Sequence, residues 1–261
     1  MLIEERRVRI NGVAERDPER RVDLNRDRIA VDGAVVRAEA RVYLALNKPR
    51  GLVTTASDEQ GRRTVLECLS TPDTADTTMS HQTSGDSAPS RRAGALRSDG
   101  LPRVFPVGRL DKASEGLLLL TNDTAWAARI TDPATHLDKV YHVQVDGLAD
   151  ETFIGRMHAG VVVEGDFLAA KHVTVLRRGQ TNNWLEVVLD EGKNRHIRRL
   201  AGALGLNVLR LVRVAIGPVQ LGALAKGEWR HLKPTEKDAL AGIEAGHFPG
   251  SIGVQVRPRR G

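Results

Sequence analysis

The chain reads as an α+β protein and not a doubly wound one, and three observations carry that reading. Strand-like and helix-like segments mix along the 261 residues without the regular strand–helix–strand rhythm of a doubly wound sheet. The hydrophobic fraction, 41%, is that of a globular chain, so a sizeable core can form. Aromatic residues make up only 3%, so that core must come mainly from Ala, Val and Leu.

Residues 1–42 alternate short β-type runs with turns. Val8-Arg9-Ile10 is followed by Asn11-Gly12, and Arg28-Ile29-Ala30-Val31 by Asp32-Gly33. Asn-Gly and Asp-Gly are strong tight-turn dipeptides because both tolerate the positive φ that such turns require. The stretch carries few apolar residues and is expected to be part of a small β-rich module. A larger domain, 43–246, opens with Tyr43-Leu44-Ala45-Leu46 running into the loop Asn47-Lys48-Pro49-Arg50-Gly51. Between 71 and 102 the composition turns to Thr, Ser, Asp, Ala, Gly and Pro. Such a segment cannot bury enough surface to offset its ordering entropy, so a disordered insertion is expected there. Order returns at Val104-Phe105-Pro106-Val107, and Gly116-Leu117-Leu118-Leu119-Leu120-Thr121 is short enough for a buried strand. Asn122-Asp123 can cap a helix over 125–130, which Asp132-Pro133 stops. Residues 139–145 alternate as a strand and 184–189 form another. Residues 194–204 have helical spacing ending at Gly205, and 209–214 are strand-like before the Gly217-Pro218 turn. A last helix is expected over 235–245, followed by a C-terminal tail, 247–261.

Charge narrows the function. The 39 Lys and Arg outnumber 33 Asp and Glu, a formal net charge of +6, and only 8 of the cations are Lys. An Arg-dominated excess suits bidentate phosphate contact and stacking on bases, although a GC-rich genome produces the same bias. Distribution is more telling than composition. Gly192 to Gly227 contains no acid, whereas Lys193, Arg195, Arg198, Arg199, Arg210, Arg213 and Lys226 all fall inside it. A one-sign segment of this length reads as a surface for a polyanion.

Several classes are excluded. No stretch approaches the roughly 20 apolar residues of a membrane span, and Met1-Leu2-Ile3-Glu4-Glu5-Arg6-Arg7 lacks the pattern of a signal peptide. The single cysteine, Cys68, excludes a disulfide framework and reads as a small core residue. There is no G-x-G-x-x-G, P-loop or H-E-x-x-H, and the eight histidines offer no ligand spacing. No metal is expected, and a cytoplasmic protein fits all of these features.

One carboxylate stands out. Gly108-Arg109-Leu110-Asp111-Lys112 places Asp111 between two cations, after a strand-like segment and before the buried Leu run. At the mouth of a core such an Asp would be ionised and held in one pose. Most Arg-x-Asp triplets are surface ion pairs or loop caps, so spacing alone does not make it catalytic.

The longer run Gly108-Arg109-Leu110-Asp111-Lys112-Ala113-Ser114-Glu115-Gly116-Leu117-Leu118-Leu119-Leu120-Thr121-Asn122-Asp123 resembles the catalytic signature of pseudouridine synthases. It is similar in particular to the ribosomal RNA branch typified by RsuA and RluB. The resemblance extends through Asn47-Lys48-Pro49-Arg50-Gly51, Lys139-Val140-Tyr141, Glu191-Gly192-Lys193-Asn194-Arg195-His196-Ile197-Arg198-Arg199-Leu200 and Leu211-Val212-Arg213-Val214-Ala215-Ile216-Gly217-Pro218. Five blocks in family order over about residues 43–234 are far more specific than any one of them. The resemblance implies a mixed, mainly antiparallel sheet with flanking helices, and it implies that Asp111 is the essential catalytic residue. It also implies that Arg109 enters the RNA stack as the target base leaves, and that Tyr141 packs on the flipped uracil. Arg198 would pair with the catalytic carboxylate, with Ile197 beside it on the pocket wall. Where the family commonly has Gln this chain has His196. Residues 2–36 resemble the later part of the αL RNA-binding module that precedes the catalytic domain in this branch, without most of its two leading helices.

These roles make chemical sense. Isomerising uridine breaks N1–C1′, turns the base and joins C5 to C1′, which needs a carboxylate near the sugar and no cofactor. Asp111 would attack C1′ or remove the 2′ proton, and both routes stay open at this point. The base must leave its stack, so an aromatic face such as Tyr141 is useful to hold it. Lys193, Arg195, Arg199, Arg210 and Arg213 are the expected RNA contacts. The expected partner is ribosomal RNA, of the large or the small subunit, or a ribosome assembly intermediate, bound by a monomer. The rivals are a non-catalytic RNA-binding or assembly factor with the same fold and a small-molecule hydrolase using Asp111. The first has no need of a carboxylate facing phosphate, and the second lacks a supporting base or metal site.

Overall fold

The computed structural model describes residues 2–23, 26–36, 39–55, 58, 60–69 and 101–242. The expected insertion 71–102, save its last two residues, lies outside the described residues, as do the end of the last helix beyond 242 and the tail 247–261.

Near the N-terminus four short strands form an antiparallel sheet in the order β2-β1-β3-β4. They are β1 (Val8–Ile10), β2 (Val13–Ala14), β3 (Ile29–Val31) and β4 (Ala34–Val36). Both expected turns close. Asn11 and Gly12 take φ of 52° and 87°, and Asp32 and Gly33 take 51° and 81°, the left-handed conformations these dipeptides tolerate. Val13, Val35 and Val36 remain exposed and Ile10 alone is fully buried among the strand residues, so the module holds little core of its own.

The larger sheet holds nine strands among the described residues, in the order β11-β12-β8-β13-β7-β5-β15, with β14 on β13 and β6 on β7. Its members are β5 (Tyr43–Lys48), β6 (Phe105–Val107), β7 (Glu115–Thr121), β8 (Lys139–Val145), β11 (His172–Arg178), β12 (Asn183–Leu189), β13 (Val208–Ile216), β14 (Val219–Gln220) and β15 (Trp229–His231). Every pairing is antiparallel except β7 with β13, which run parallel through Glu115 opposite Val212 and Gly116 opposite Arg213. The sheet is thus mixed and mainly antiparallel.

The Leu run of β7 explains where the core lies. Successive side chains of a strand point to opposite faces, yet all seven residues of β7 are buried. Helices cover both faces. Leu118 and Leu120 join Leu44 and Leu46 in a cluster with Phe153, Met157, Ile197 and Leu200, while Leu117 and Leu119 pack with Trp126, Ile130 and Leu240 on the other side. The first cluster is supplied by α2 (Glu151–Ala159) and α3 (His196–Ala203), the second by α1 (Thr124–Thr131) and α4 (Pro234–Ala241). Each buried Leu contributes roughly 1.5–3 kcal/mol, so this strand anchors the domain. Cys68 sits half-buried against the first cluster, in a 3-10 turn over Val65–Leu69.

Two corrections concern local structure. Helix α3 begins two residues later than its spacing suggests, because Arg195 turns the chain through φ 50° as its N-cap. Residues 146–183 carry no element in the expectations above, and the structure fills them with α2, strand β11 and a two-stranded hairpin, β9 (Val161–Val163) with β10 (Asp166–Leu168). Asp150 caps α2 by accepting from Phe153 N at 2.7 Å.

Candidate active site

Asp111 lies in the loop between β6 and β7, on the wall of an open cavity of about 630 Å³. The loop backbone is held with unusual completeness. Carbonyl oxygens from Arg109 to Ser114 accept, in turn, from Arg213 Nη1, Thr54 Oγ1, Lys48 Nζ, Gly51 N, Arg198 Nη2 and again Lys48 Nζ, at 2.7 to 3.4 Å. A loop whose every carbonyl is engaged cannot swing, and the side chain it carries is placed in advance. The Asp111 carboxylate itself accepts no hydrogen bond from a described residue, so its oxygens are available to something in the cavity.

Three cations do this holding, and none is spent on a carboxylate. Lys48 is fully buried at the end of β5. Burial pushes its ammonium down to about 8, with the Asp111 charge opposing. Arg198 donates to Val208 O at 2.8 Å and to Ala113 O at 3.3 Å, while its Nε is buried without a partner. Burial lowers its pKa, Arg195 and Arg50 push the same way, and Asp111 opposes them. Arg213 donates through Nε to Leu117 O at 2.8 Å. Positive charge therefore gathers behind Asp111 in a partly dry environment, where it acts more strongly than in water.

The other walls come from the blocks that the sequence singled out. Tyr141 is buried on β8, opposite Arg213 on β13 and Val187 on β12. Ile197, Leu189 and Leu211 add apolar surface beside it. Lys139 reaches the cavity from the start of β8, and burial, then Arg213, lowers its pKa. At the rim Arg109 and Arg195 are exposed, and Lys193 donates to Phe167 O at 2.7 Å and to Glu191 at 3.0 Å. His196 is buried with Nδ1 3.6 Å from Glu191, and neither ring nitrogen has a hydrogen-bond partner. Burial pushes this imidazole toward its neutral form. Among the described residues no group of three or more His, Cys, Asp or Glu is arranged to hold a metal.

The structure thus brings Arg109, Asp111, Tyr141, Lys193, Arg195, Ile197 and Arg213 to one cavity, and leaves others out. Arg198 stands behind the Asp111 loop, bound to carbonyls, and the direct carboxylate pair implied by the resemblance is not formed. Arg213 is buried, so it braces the wall instead of meeting solvent. Arg199 is tied to Asp166 at 2.7 Å and Glu164 at 3.3 Å, and Arg210 to Glu115 at 2.9 Å. The acid-free segment is therefore not one cationic face, because acids distant in sequence fold onto it. Lys48 holds both ends of the Asp111–Ser114 turn, a role that the sequence block containing it does not declare. The available signal was a lysine closing an otherwise apolar strand.

One glycine completes the site. Gly116 has φ 102°, and a Cβ there would overlap the Arg213 carbonyl oxygen and lie 2.8 Å from Arg213 N. The parallel contact that brings β13 against the Asp111 loop depends on this missing side chain.

Comparison with known proteins identifies the family. Residues 42–203 match the family model of RNA pseudouridylate synthases. An uncharacterized RNA pseudouridine synthase of Aquifex aeolicus is 36% identical over 236 residues, 90% of this chain and 84% of that protein. The ribosomal large subunit pseudouridine synthase B of Bacillus subtilis is 30% identical over 246 residues, covering 93% and 88%. A crystal structure of a pseudouridylate synthase superposes with a TM-score of 0.59 at 26% identity, covering 92% of this chain and 90% of that one. The family model covers more than half of the chain and the relatives nearly all of it, so the chain belongs to the RNA pseudouridylate synthase family.

Proposed function

We propose that this isomerase converts a uridine of ribosomal RNA to pseudouridine, with Asp111 as the essential group and no cofactor. The observation that carries the reading is the Asp111 carboxylate, which faces the cavity with no internal partner while its own backbone is fully braced. The chemistry asks for little else. N1–C1′ breaks, C5–C1′ forms, N1 gains a proton and C5 loses one, with no net oxidation. Asp111 serves either as nucleophile at C1′ or as base toward the 2′ proton, and both require a carboxylate fixed beside the ribose. Tyr141 and the apolar wall of Ile197, Leu189 and Leu211 retain the detached uracil, and exposed Arg109 fills the gap that the flipped base leaves. Arg195 and Lys193 at the rim meet phosphates. Arg198, held behind the loop, acts on Asp111 through its charge.

Ribosomal RNA as the substrate, and the large subunit in preference to the small, rests on likeness to the Bacillus subtilis protein. The same reading makes residues 2–36 an αL-type attachment to the catalytic domain, and the protein a cytoplasmic monomer. Among the described residues no helix is long and apolar enough to cross a membrane. The test is to map pseudouridines in both ribosomal RNAs from cells with and without the gene. A single large-subunit position should lose its pseudouridine and regain it on complementation with the wild-type gene but not with Asp111→Asn. Loss of a position in the small subunit would overturn the subunit assignment, and loss of none would overturn ribosomal RNA as the substrate.

A further inference from the structure

Beyond the cavity, the hairpin of β9 and β10 carries an exposed apolar face with a fixed relation to it. Phe167 and Val162 lie opposite each other across the two strands and are 54% and 67% exposed. An exposed Phe matters in a chain with only 4 of them and 3% aromatics. Among the described residues the other exposed one, Phe105, already has the Arg103 guanidinium 5.7 Å from its ring centroid. Phe167 has no ring or cation contact of that kind among the described residues.

The ring is also held in place. It lies over Gly160, where a Cβ would come within 2.5 Å of Phe167 Cζ, so the absent side chain makes a notch for one edge of the ring. The hairpin beneath is tied down at two points, one of them on the cavity wall. Lys193, itself a cavity residue, donates to Phe167 O at 2.7 Å. Arg199 donates to Val163 O at 2.6 Å and pairs with Asp166. Unlike Arg195, both cations give donors to the hairpin, and Lys193 gives a further one to Glu191.

We propose that Phe167 is a stacking platform for a base flanking the uridine that enters the cavity. An RNA strand crossing the rim meets the free cations Arg109 and Arg195 with its phosphates and an exposed, pre-ordered ring with its bases. That combination of charge and aromatic surface is how single-stranded nucleic acid is held without sequence readout. Continuity with the cavity through Lys193 favours RNA over a second protein as the occupant.

The test measures binding of a short fluorescein-labelled oligouridylate to the full chain carrying Phe167→Leu or Phe167→Tyr. Leu keeps the apolar bulk and loses the π-face, so its dissociation constant should rise roughly 5- to 100-fold, while Tyr should stay within about twofold of wild type. Equal melting temperatures of the two variants would show that the hairpin is intact. A Leu variant that binds as tightly as wild type overturns the platform. So does a change of oligomeric state in sedimentation on Leu substitution, which would assign the face to a second copy of the chain. The readout is binding, so its failure is distinct from failure of the Asp111 assignment, which is read from turnover.

Discussion

Asp111 and Glu115 sit four residues apart, one on the loop before β7 and the other at the first residue of that strand, and their surroundings are opposite. Glu115 is buried at the start of β7, where it takes both Arg210 donors, at 2.9 and 3.1 Å, and Lys226 at 2.6 Å. Burial works to raise its pKa, but these bonds outweigh it and hold the carboxyl below its ordinary value. Asp111 faces a cavity with both oxygens free, and the nearby cations are occupied by backbone carbonyls. A carboxylate with both oxygens bound by cations is structure. One with fixed backbone, unused oxygens and positive charge behind it is poised to react. The difference lies in where the cations spend their donors, since both acids have cations within reach.

The largest effect follows from exchanging that free carboxylate. Asp111→Asn should lower turnover on RNA by at least about 10³-fold, or ~4 kcal/mol in the barrier. Stability and RNA affinity should barely move, because no described residue bonds the side chain. A variant retaining a tenth of wild-type turnover would show that the contrast between the two acids has nothing to do with catalysis.

Gly116→Ala tests the joint between the two surroundings. The Cβ must displace the Arg213 backbone, and φ 102° is costly for any L-residue, so destabilisation of about 3 kcal/mol or more is expected in denaturant titrations. A loss below about 1 kcal/mol would mean that β7 and β13 separate easily and do not set the loop.

Lys48 holds both sides of the turn that separates the two acids. Its folded pKa, about 8, is below the ordinary 10.5. The unfolded chain therefore binds more protons between these values, and stability should rise with pH across that window. The gain amounts to at most ~3 kcal/mol and is absent below about pH 8, where the group is protonated in both states. Subtracting the denaturation midpoints of Lys48→Met from those of wild type over this range isolates the contribution from other titrating lysines and tyrosines. A flat difference would mean that the ammonium is hydrated in the folded protein.

How much of this was legible in the sequence depends on how local the cause was. The caps and turns were readable: Asp123 accepts from Trp126 N as its position suggests, and both tight-turn dipeptides take positive φ. The order of the blocks carried the family and the fold. The hairpin and α2 were overlooked, although Asp150 before α2 and Gly160 after it are ordinary helix punctuation. Charge was the least readable. An acid-free stretch states which charges it contains, but Arg199 is neutralised from 33 residues away and Arg210 from 95. No window along the chain reports such pairings.

A smaller stability effect separates the two acids again. Glu115→Gln should cost about 2 kcal/mol, less than a wholly dry pair because Arg210 and Lys226 are partly hydrated and can regain water. It should leave turnover on RNA within a few-fold of wild type. A large loss of turnover at unchanged stability would place Glu115 in the reaction and erase the distinction.

The smallest expected effect concerns the cations themselves. Arg109 and Arg195 are exposed at the rim, so replacing either by Gln should flatten the log–log dependence of RNA affinity on salt by roughly 0.7–0.9 units, the release of one counterion. Arg199 and Arg210 carry the same formal charge but already face Asp166 and Glu115 at 2.7 and 2.9 Å. Phosphate would have to compete with an internal carboxylate for their donors, so their Gln variants should change the slope by less than about half as much. Titrations of one fluorescent RNA at four salt concentrations or more resolve such a difference. If all four variants flatten the slope equally, the internal pairs open when RNA binds, and the acid-free segment acts as one cationic face after all.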